Sequence, residues 1–360
     1  MKHLLFAPDE VNTGRQTGVD MAKMFAIFFM VIIHTFEFGE ADVTTGLGYF
    51  FDSIAGAQFG APVFMLCMGI GLTFSRKSDA ATMAKRGAML FVAGYVIDVL
   101  RALPLFILWR ITREADYLPE AVHILTDVDI LQFAGLSFLL IALFKRLHLS
   151  YGWLALVAVL MSIAGNFVRQ LDLGSFWLNL LVSPFVGVKT ELVQTDFPLL
   201  NWFGFVIAGY YMGRLLRRCT DTDRLCLILL PVSAVLYGAY ATYAIPRGIG
   251  MFGTESSDFY HMTSFDFIIC VLAAVAAMSA CHFIAKLLTD NLMQAVTRIC
   301  NDLTKIYVAQ WIIIMWVVGG FMTNWMGWIL PIGWQFVLGI GILLLSIGWA
   351  RLKPLSKLKM

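Results

Sequence analysis

Long, uninterrupted apolar runs constrain this chain more than any other feature. A helix needs about 20 apolar residues to cross the hydrocarbon layer of a bilayer. Because lipid offers the peptide groups no hydrogen-bond partner, apolar segments of that length must be helical. Ten segments meet this requirement, and we predict that they span a membrane: Val19–Phe38, Phe59–Ser75, Gly87–Trp109, Asp129–Leu147, Tyr151–Val168, Pro198–Leu216, Leu225–Ile245, Phe265–Leu287, Thr304–Met322 and Trp328–Ala350.

The composition agrees with this fold class, an all-α polytopic protein whose main partner is the lipid bilayer. Apolar residues make up 59% of the chain and charged residues 14%, whereas soluble chains carry roughly 45–50% and about 25%. The formal net charge of +2 gives no reason to expect a nucleic-acid partner. The six cysteines lack paired spacing, so the sequence predicts neither a disulfide framework nor a metal site.

The distribution of lysine and arginine predicts how the ten spans are oriented. With the N-terminus in the cytoplasm, twenty of the 26 basic residues fall on the inner side and six on the outer side. The positive-inside rule therefore predicts that both termini are cytoplasmic. A further span at Phe176–Val188 would move the later arginine cluster outside. We therefore interpret this stretch and Tyr49–Ala57 as short interfacial or re-entrant pieces.

The chain contains no linker rich in proline, glycine or serine that would divide it. We predict a cytoplasmic N-terminal segment (residues 1–18), a single transmembrane domain (19–350) and a basic cytoplasmic tail (351–360). The first residues include acids and only a short apolar patch, so no cleavable signal peptide is evident. Together with the compact length, this favours a bacterial cell inner membrane as the location.

The first predicted span carries the most informative charges. Lys23 and His34 are 11 residues apart, which is about three helical turns, so they share one helix face. Ionisable groups inside a membrane are costly and often mark a functional site. The alternative stays open that Lys23 extends to lipid headgroups and that His34 only hydrogen-bonds a neighbouring helix.

This span also begins a series of motifs. Asp20, Lys23 and His34 form a D-x-x-K-x10-H pattern. It resembles the D-x-x-R-x10-H pattern that opens the transmembrane acyltransferases, and it is most similar to the branch of heparan-α-glucosaminide N-acetyltransferase and its bacterial relatives. Each later block alone is mostly apolar, so the resemblance rests on their order and spacing. These blocks are Gly60–Lys77, Asp129–Leu140, Phe197–Leu216 and Asn301–Ile314.

The resemblance implies an acyltransferase that moves an acyl group, acetyl being favoured, from cytoplasmic acyl-CoA to a sugar or amino-sugar acceptor outside. It also implies that His34 is the general base, because imidazole titrates near neutral pH and can take the acceptor's proton. Lys23 stands where the family usually has arginine, which keeps a cation but loses the planar fork. The loop after His34 also lacks a further histidine of the lysosomal enzyme. Direct transfer and an acyl-histidine intermediate both stay open.

Cations on the predicted inner side are candidates for holding the phosphates of acetyl-CoA, the expected co-substrate. The positive-inside rule accounts for the same residues without a ligand, and that alternative stays open. No metal is expected. The candidate cofactor-binding residues are Lys23 in the first span and, in the loop after the second span and at the start of the third, Arg76, Lys77, Lys85 and Arg86.

A second group of charges lies near the outer ends of the third and fourth spans. Asp98 and Arg101 are i, i+3 neighbours that either neutralise each other or bind the acceptor. Asp127 is a further acceptor-binding candidate and alternatively a helix cap. Asp129 is a candidate catalytic residue that orients the imidazole or contacts an acceptor hydroxyl. Glu37, which follows the imidazole at i+3, is the alternative carboxylate partner.

A different class of function, a proton-coupled transporter, also fits ten spans with buried charge. Carriers commonly contain paired repeats with broken helices, and no such pairing is evident in this sequence. Tyr307 and Gln310 share a face of the ninth predicted span, and we assign them no role. The identity of the acceptor and the oligomeric state, a homodimer included, stay open.

Overall fold

The computed structural model describes residues 5–75, 79–252 and 259–352, without the side chains of residues 53 and 54. Regular structure in these ranges is helical, and the three β-bridges present are isolated. The helices are α1 Thr17–Phe38, α2 Gly46–Tyr49, α3 Ala57–Phe59, α4 Ala61–Phe74, α5 Ala80–Thr112, α6 Tyr117–Thr126, α7 Ile130–Arg146, α8 Tyr151–Phe167, α9 Phe176–Val182, α10 Leu199–Arg218, α11 Thr222–Ala244, α12 Ser264–Leu287, α13 Asp290–Asn301, α14 Leu303–Ile313 and α15 Ile332–Ala350, with π-helical turns at Phe50–Gly56 and Ile314–Trp325 and 3-10 turns at Ile245–Arg247 and Gly250–Phe252.

The predicted all-α polytopic fold is confirmed. Within the described ranges, 8 helical segments are long and apolar enough to cross a membrane, and each overlaps a predicted span. The other two predicted spans fall on α8, which has 17 residues, and on α10, which has 20 but is not among the eight. The chain is therefore a multi-pass membrane protein.

The short apolar pieces differ in part from the sequence-based interpretation. The stretch predicted at Tyr49–Ala57 runs on into the second span, because helical turns continue from Gly46 to Phe74. The stretch predicted at Phe176–Val188 contains only the 7-residue helix α9, which is too short to cross a bilayer. Helices α6 and α13 were not predicted, and α13 is a polar-faced helix with no buried residue.

Helix α1 lies at the centre of the bundle and packs against α4, α12, α13 and α15. Around it, α5 packs along α7 and α4 packs along α10. The second pair is close because Gly69 and Gly209 face backbone carbonyl groups of the opposite helix, with which any added Cβ would collide. Small residues allow this close approach between membrane helices.

Contacts at the start of α1 identify one end of the bundle. The segment before α1 joins the α10–α11 connection, where the Ala7 amide donates to the Arg218 carbonyl at 2.8 Å. Arg15 donates to the Asn301 side chain at 3.1 Å, which brings the start of α14 to the same end. We call this end of the molecule, where α1 begins, the basic end.

Candidate active site

A buried ion cluster occupies the middle of the bundle. Asp129 caps the N-terminus of α7, where its Oδ1 accepts from the Ile130 amide at 2.6 Å. Its Oδ2 lies 3.2 Å from Nη1 of Arg101 on α5. The same Nη1 lies 3.0 Å from a carboxylate oxygen of Asp98 and 3.7 Å from one of Asp127. All four charged residues are buried. A buried charge without a partner is very costly. The guanidinium of Arg101 contacts all three carboxyl groups and supplies the positive charge within this cluster.

An aromatic stack connects this cluster to His34. The guanidinium carbon of Arg101 lies 3.8 Å from the ring centroid of Trp311 on α14. The His34 ring stacks on the same indole, with centroids 3.9 Å apart and an interplanar angle of 22°. A desolvated cation–π contact is worth about 2 kcal/mol. The stack therefore fixes the imidazole at a defined position relative to the carboxylates.

The hydrogen bond of His34 decides which ring nitrogen is available. Its Nδ1 lies 3.3 Å from Oε1 of Gln310, one residue before Trp311. An Nδ1–H that donates to this carbonyl oxygen leaves the lone pair on Nε2, which is the form needed for a general base. His34 as a whole residue is half-buried.

A cavity of about 480 Å³ runs from the basic end to Tyr307, and neither His34 nor Gln310 is one of its lining residues. Lys23 and Arg86 line it, and Tyr307 lies in its wall. The Tyr307 hydroxyl donates to Asp129. Tyr307 is one helical turn before Gln310 and Trp311, so a single face of α14 passes from the cavity wall to the imidazole. The remaining lining residues are mostly apolar: Phe64, Cys67, Met68, Gly71, Leu72, Ser75, Met89, Leu90, Ile130, Leu131, Ala134, Phe138, Leu303 and Thr304.

The predicted CoA-binding cations have different surroundings. Lys23 is half-buried and forms no hydrogen bond or ion pair with the part of the chain that the structure describes. Arg86 is exposed and lines the same cavity. Lys85 is exposed and is not a lining residue. Arg76 and Lys77 lie outside the described residues.

The side of the cluster away from the basic end is acidic. Glu37, near the end of α1, is exposed, and Asp196, just before α10, is half-buried. The two carboxylates lie close enough to repel each other. Burial and the charge of Asp129 raise the pKa of Asp196 to about 6. A hydrogen bond from Gln194 lowers this pKa but does not offset the increase. We call Glu37 and Asp196 the acidic rim.

Sequence reasoning found most charges of the site but not all its contacts. Asp98 and Arg101 form the i, i+3 pair that was one of the two alternatives, although Arg101 also binds two further carboxylates. Neither Asp129 nor Glu37 hydrogen-bonds His34, whose described partner is Gln310. Trp311 was missed. Its position four residues after Tyr307, in a block already noted, was the available signal.

A comparison with known families decides what kind of protein carries this site. A family model described as heparan-alpha-glucosaminide N-acetyltransferase, catalytic, matches residues 15–235, more than half of the chain. The chain belongs to this family. No curated protein and no solved structure matches it.

Membership of the heparan-alpha-glucosaminide N-acetyltransferase family makes the chain a membrane transferase of the acetyltransferase type. Acetyltransferases of this kind use acetyl-CoA as the donor. The matched region contains Lys23, His34, Arg101 and Asp129, whereas α14 with its Gln310 lies beyond it. The family match favours a transferase over the transporter considered from the sequence.

Proposed function

We propose that the protein transfers an acetyl group from cytoplasmic acetyl-CoA to a sugar or amino-sugar acceptor on the outer side of a cell inner membrane. The observation that carries this proposal is the 480 Å³ cavity. Lys23 and Arg86 line it, and its wall contains Tyr307, whose hydroxyl donates to Asp129. The acetyl donor enters from the basic end, and the acceptor approaches His34 from the acidic rim. The excess of lysine and arginine at the basic end supports a cytoplasmic position for it.

Lys23 and Arg86 suit the phosphorylated end of CoA. Charge-assisted bonds from lysine and arginine to phosphate oxygens are stronger than bonds between neutral groups. Lys23 forms no ion pair within the described residues, so its charge is available to a ligand. The apolar lining between the two cations and Tyr307 suits the less polar pantetheine arm and the acetyl group. Lys85, Arg76 and Lys77 stay candidate CoA-binding residues.

His34 acts as the general base of this reaction. The lone pair on Nε2 takes the proton of the acceptor while the acceptor attacks the thioester carbonyl carbon. The C–S bond then breaks, and the thiolate of CoA receives that proton from the imidazolium. Asp129 supports the imidazolium through its charge, since it interacts electrostatically with His34 without a direct hydrogen bond. Asp98, Arg101 and Asp127 hold Asp129 and the indole in position.

The acidic rim favours an acceptor that carries an amine. Glu37 is exposed and Asp196 half-buried on the side from which the acceptor approaches. Two neighbouring carboxylates attract a protonated amine more strongly than a neutral hydroxyl. The amine loses one proton to a rim carboxylate before its nitrogen attacks, and His34 takes the second proton during the attack. An amino sugar is therefore the first acceptor to test, ahead of neutral sugars.

The test uses purified protein in lipid nanodiscs, acetyl-CoA and a set of amino sugars, with free CoA measured by a thiol reagent. The wild type should release CoA only when an acceptor is present, and His34→Asn should reduce turnover by at least a hundredfold. His148→Asn is the matched control because His148 is exposed and lies in a connection between helices. Full turnover of His34→Asn would refute the proposed base. If acetyl-CoA neither binds nor is consumed, the transferase proposal itself fails.

A further inference from the structure

Gln310 carries a buried donor that the fold does not use. The residue has no exposed surface, and its Oε1 faces Nδ1 of His34. Its Nε2 has no hydrogen-bond partner within the described residues. A buried donor without an acceptor is costly, and most native proteins avoid it. Gln58 Nε2 and Trp311 Nε1 are also buried without a described partner, so what distinguishes Gln310 is its contact with the candidate base.

Another buried glutamine shows how the same group is satisfied when its role is structural. Gln335, at the start of α15, donates from Nε2 to the carbonyl oxygens of Gly39 at 2.8 Å and Leu330 at 2.9 Å. These bonds tie the end of α1 to the start of α15. Gln310 makes no such bond to the described backbone, and it is its Oε1, not its Nε2, that faces the candidate base.

The position of this donor suits a second chemical role. Both heteroatoms of one amide are bonded to the same carbon, so Nε2 of Gln310 lies beside the imidazole. Negative charge develops on the carbonyl oxygen of a thioester when a nucleophile attacks it. A neutral, fixed donor in a buried site stabilises that charge without any reorganisation of solvent. A donor beside the base can reach a carbonyl whose attacking group contacts the same base.

We propose that Gln310 donates a hydrogen bond from Nε2 to the thioester carbonyl oxygen of acetyl-CoA, while its Oε1 holds Nδ1–H of His34. The acceptor nitrogen or oxygen forms a bond to the carbonyl carbon, His34 takes its proton, and the electron pair of the C=O bond moves to oxygen. The N–H of Gln310 stabilises this oxyanion until the pair returns and the C–S bond breaks. The thiolate leaves and is protonated by His34. This inference rests on the proposed acetyl transfer.

Gln310→Glu separates the two functions of the side chain. The carboxylate keeps an acceptor for Nδ1–H but removes the donor and places negative charge where the oxyanion forms. We expect kcat to fall by roughly 10²–10³-fold, the loss typical of one oxyanion donor. The KM for acetyl-CoA should change far less than kcat. Gln335→Glu is the matched control, because it also places a carboxylate at a buried glutamine. Per folded molecule it should keep turnover within about threefold of the wild type.

Binding of two inert analogues tests the hydrogen bond without turnover. One is the ketone analogue of acetyl-CoA, in which CH₂ replaces the thioester sulfur and the carbonyl is kept. The other is S-ethyl-CoA, a thioether without a carbonyl. Gln310→Met, which retains the shape and carries no charge, should bind the ketone roughly tenfold more weakly than the wild type does. Its affinity for the thioether should be unchanged.

The outcomes distinguish this inference from the function on which it rests. If His34→Asn is inactive but Gln310→Glu keeps full turnover, the oxyanion role is wrong and the proposed transfer stands. An equal loss of affinity for both analogues in Gln310→Met also overturns the role, because it would show a general change in the cavity. If Gln310→Glu does not fold, the analogue comparison in Gln310→Met decides the question alone.

Discussion

Replacing Arg101 by methionine tests the buried ion cluster. Nη1 of Arg101 lies 3.0, 3.2 and 3.7 Å from three carboxylates, and the residue is only 3% exposed. At an effective dielectric constant of about 20, each close pair contributes roughly 4.5–5.5 kcal/mol before desolvation is subtracted. Removing one partner of a buried pair costs about 3–5 kcal/mol net, because the remaining charge is left uncompensated. The free energy of unfolding should fall by that amount.

The measurement is a thermal melt in detergent, followed by intrinsic fluorescence. For 360 residues a loss of 3–5 kcal/mol corresponds to a decrease in Tm of roughly 4–7 °C. Turnover should also fall, because the indole that carries the imidazole loses its cation–π contact. Arg101→Lys should lie between the wild type and Arg101→Met, since lysine keeps the charge without the planar fork. Adding Asp98→Asn to Arg101→Met should recover part of the loss. An unchanged Tm in Arg101→Met would refute the cluster as a stabilising unit.

Three further changes test other parts of the account. Asp196→Asn should stabilise the protein at pH 7.5 by at most about 3 kcal/mol, because the raised pKa of about 6 makes the ionised form of Asp196 unfavourable in the folded state. The difference in the free energy of unfolding between the variant and the wild type should develop as the pH rises from about 4 to 6 and should vanish below pH 4. If thermal melts show the same difference at every pH, the pKa of Asp196 is not raised. Tyr307→Phe removes the donor to Asp129 and should cost about 1.5–3 kcal/mol, measured by urea unfolding, whereas a loss below 0.5 kcal/mol would contradict the bond. Gly71→Leu should raise the KM for acetyl-CoA by roughly tenfold or more without lowering Tm, because Gly71 lines the cavity and an added Cβ there meets no atom within 4 Å. Gly341→Leu, also with no atom within 4 Å, is its control, and equal KM values in the two variants would show that acetyl-CoA does not use the cavity.

The sequence predicted the spans well because the bilayer imposes a length and an apolar character on each of them. It also predicted that Lys23 and His34 share one face of α1, since helix periodicity alone decides that. The structure has Lys23 in the cavity wall and His34 beside the cluster. Both predictions required only local geometry.

The contacts between helices could not be predicted from local patterns. Gln310 and His34 are separated by 276 positions in the chain, and their contact depends on how α1 and α14 pack. The same packing brings Trp311 between Arg101 and His34. Asp129 was predicted to orient the imidazole or to contact an acceptor hydroxyl. In the structure it caps α7, and its carboxylate accepts hydrogen bonds from Arg101 and Tyr307. A sequence motif identifies such residues, but it does not show which of them are in contact in the folded protein.

The most direct test of the account is a cryo-EM structure of the protein with the ketone analogue of acetyl-CoA. The account predicts that the phosphates contact Lys23 and Arg86 at the basic end, that the pantetheine arm fills the cavity past Gly71, and that the carbonyl lies beside His34. A nucleotide bound at the acidic rim, or an arm that ends outside the cavity and away from the imidazole, would contradict it.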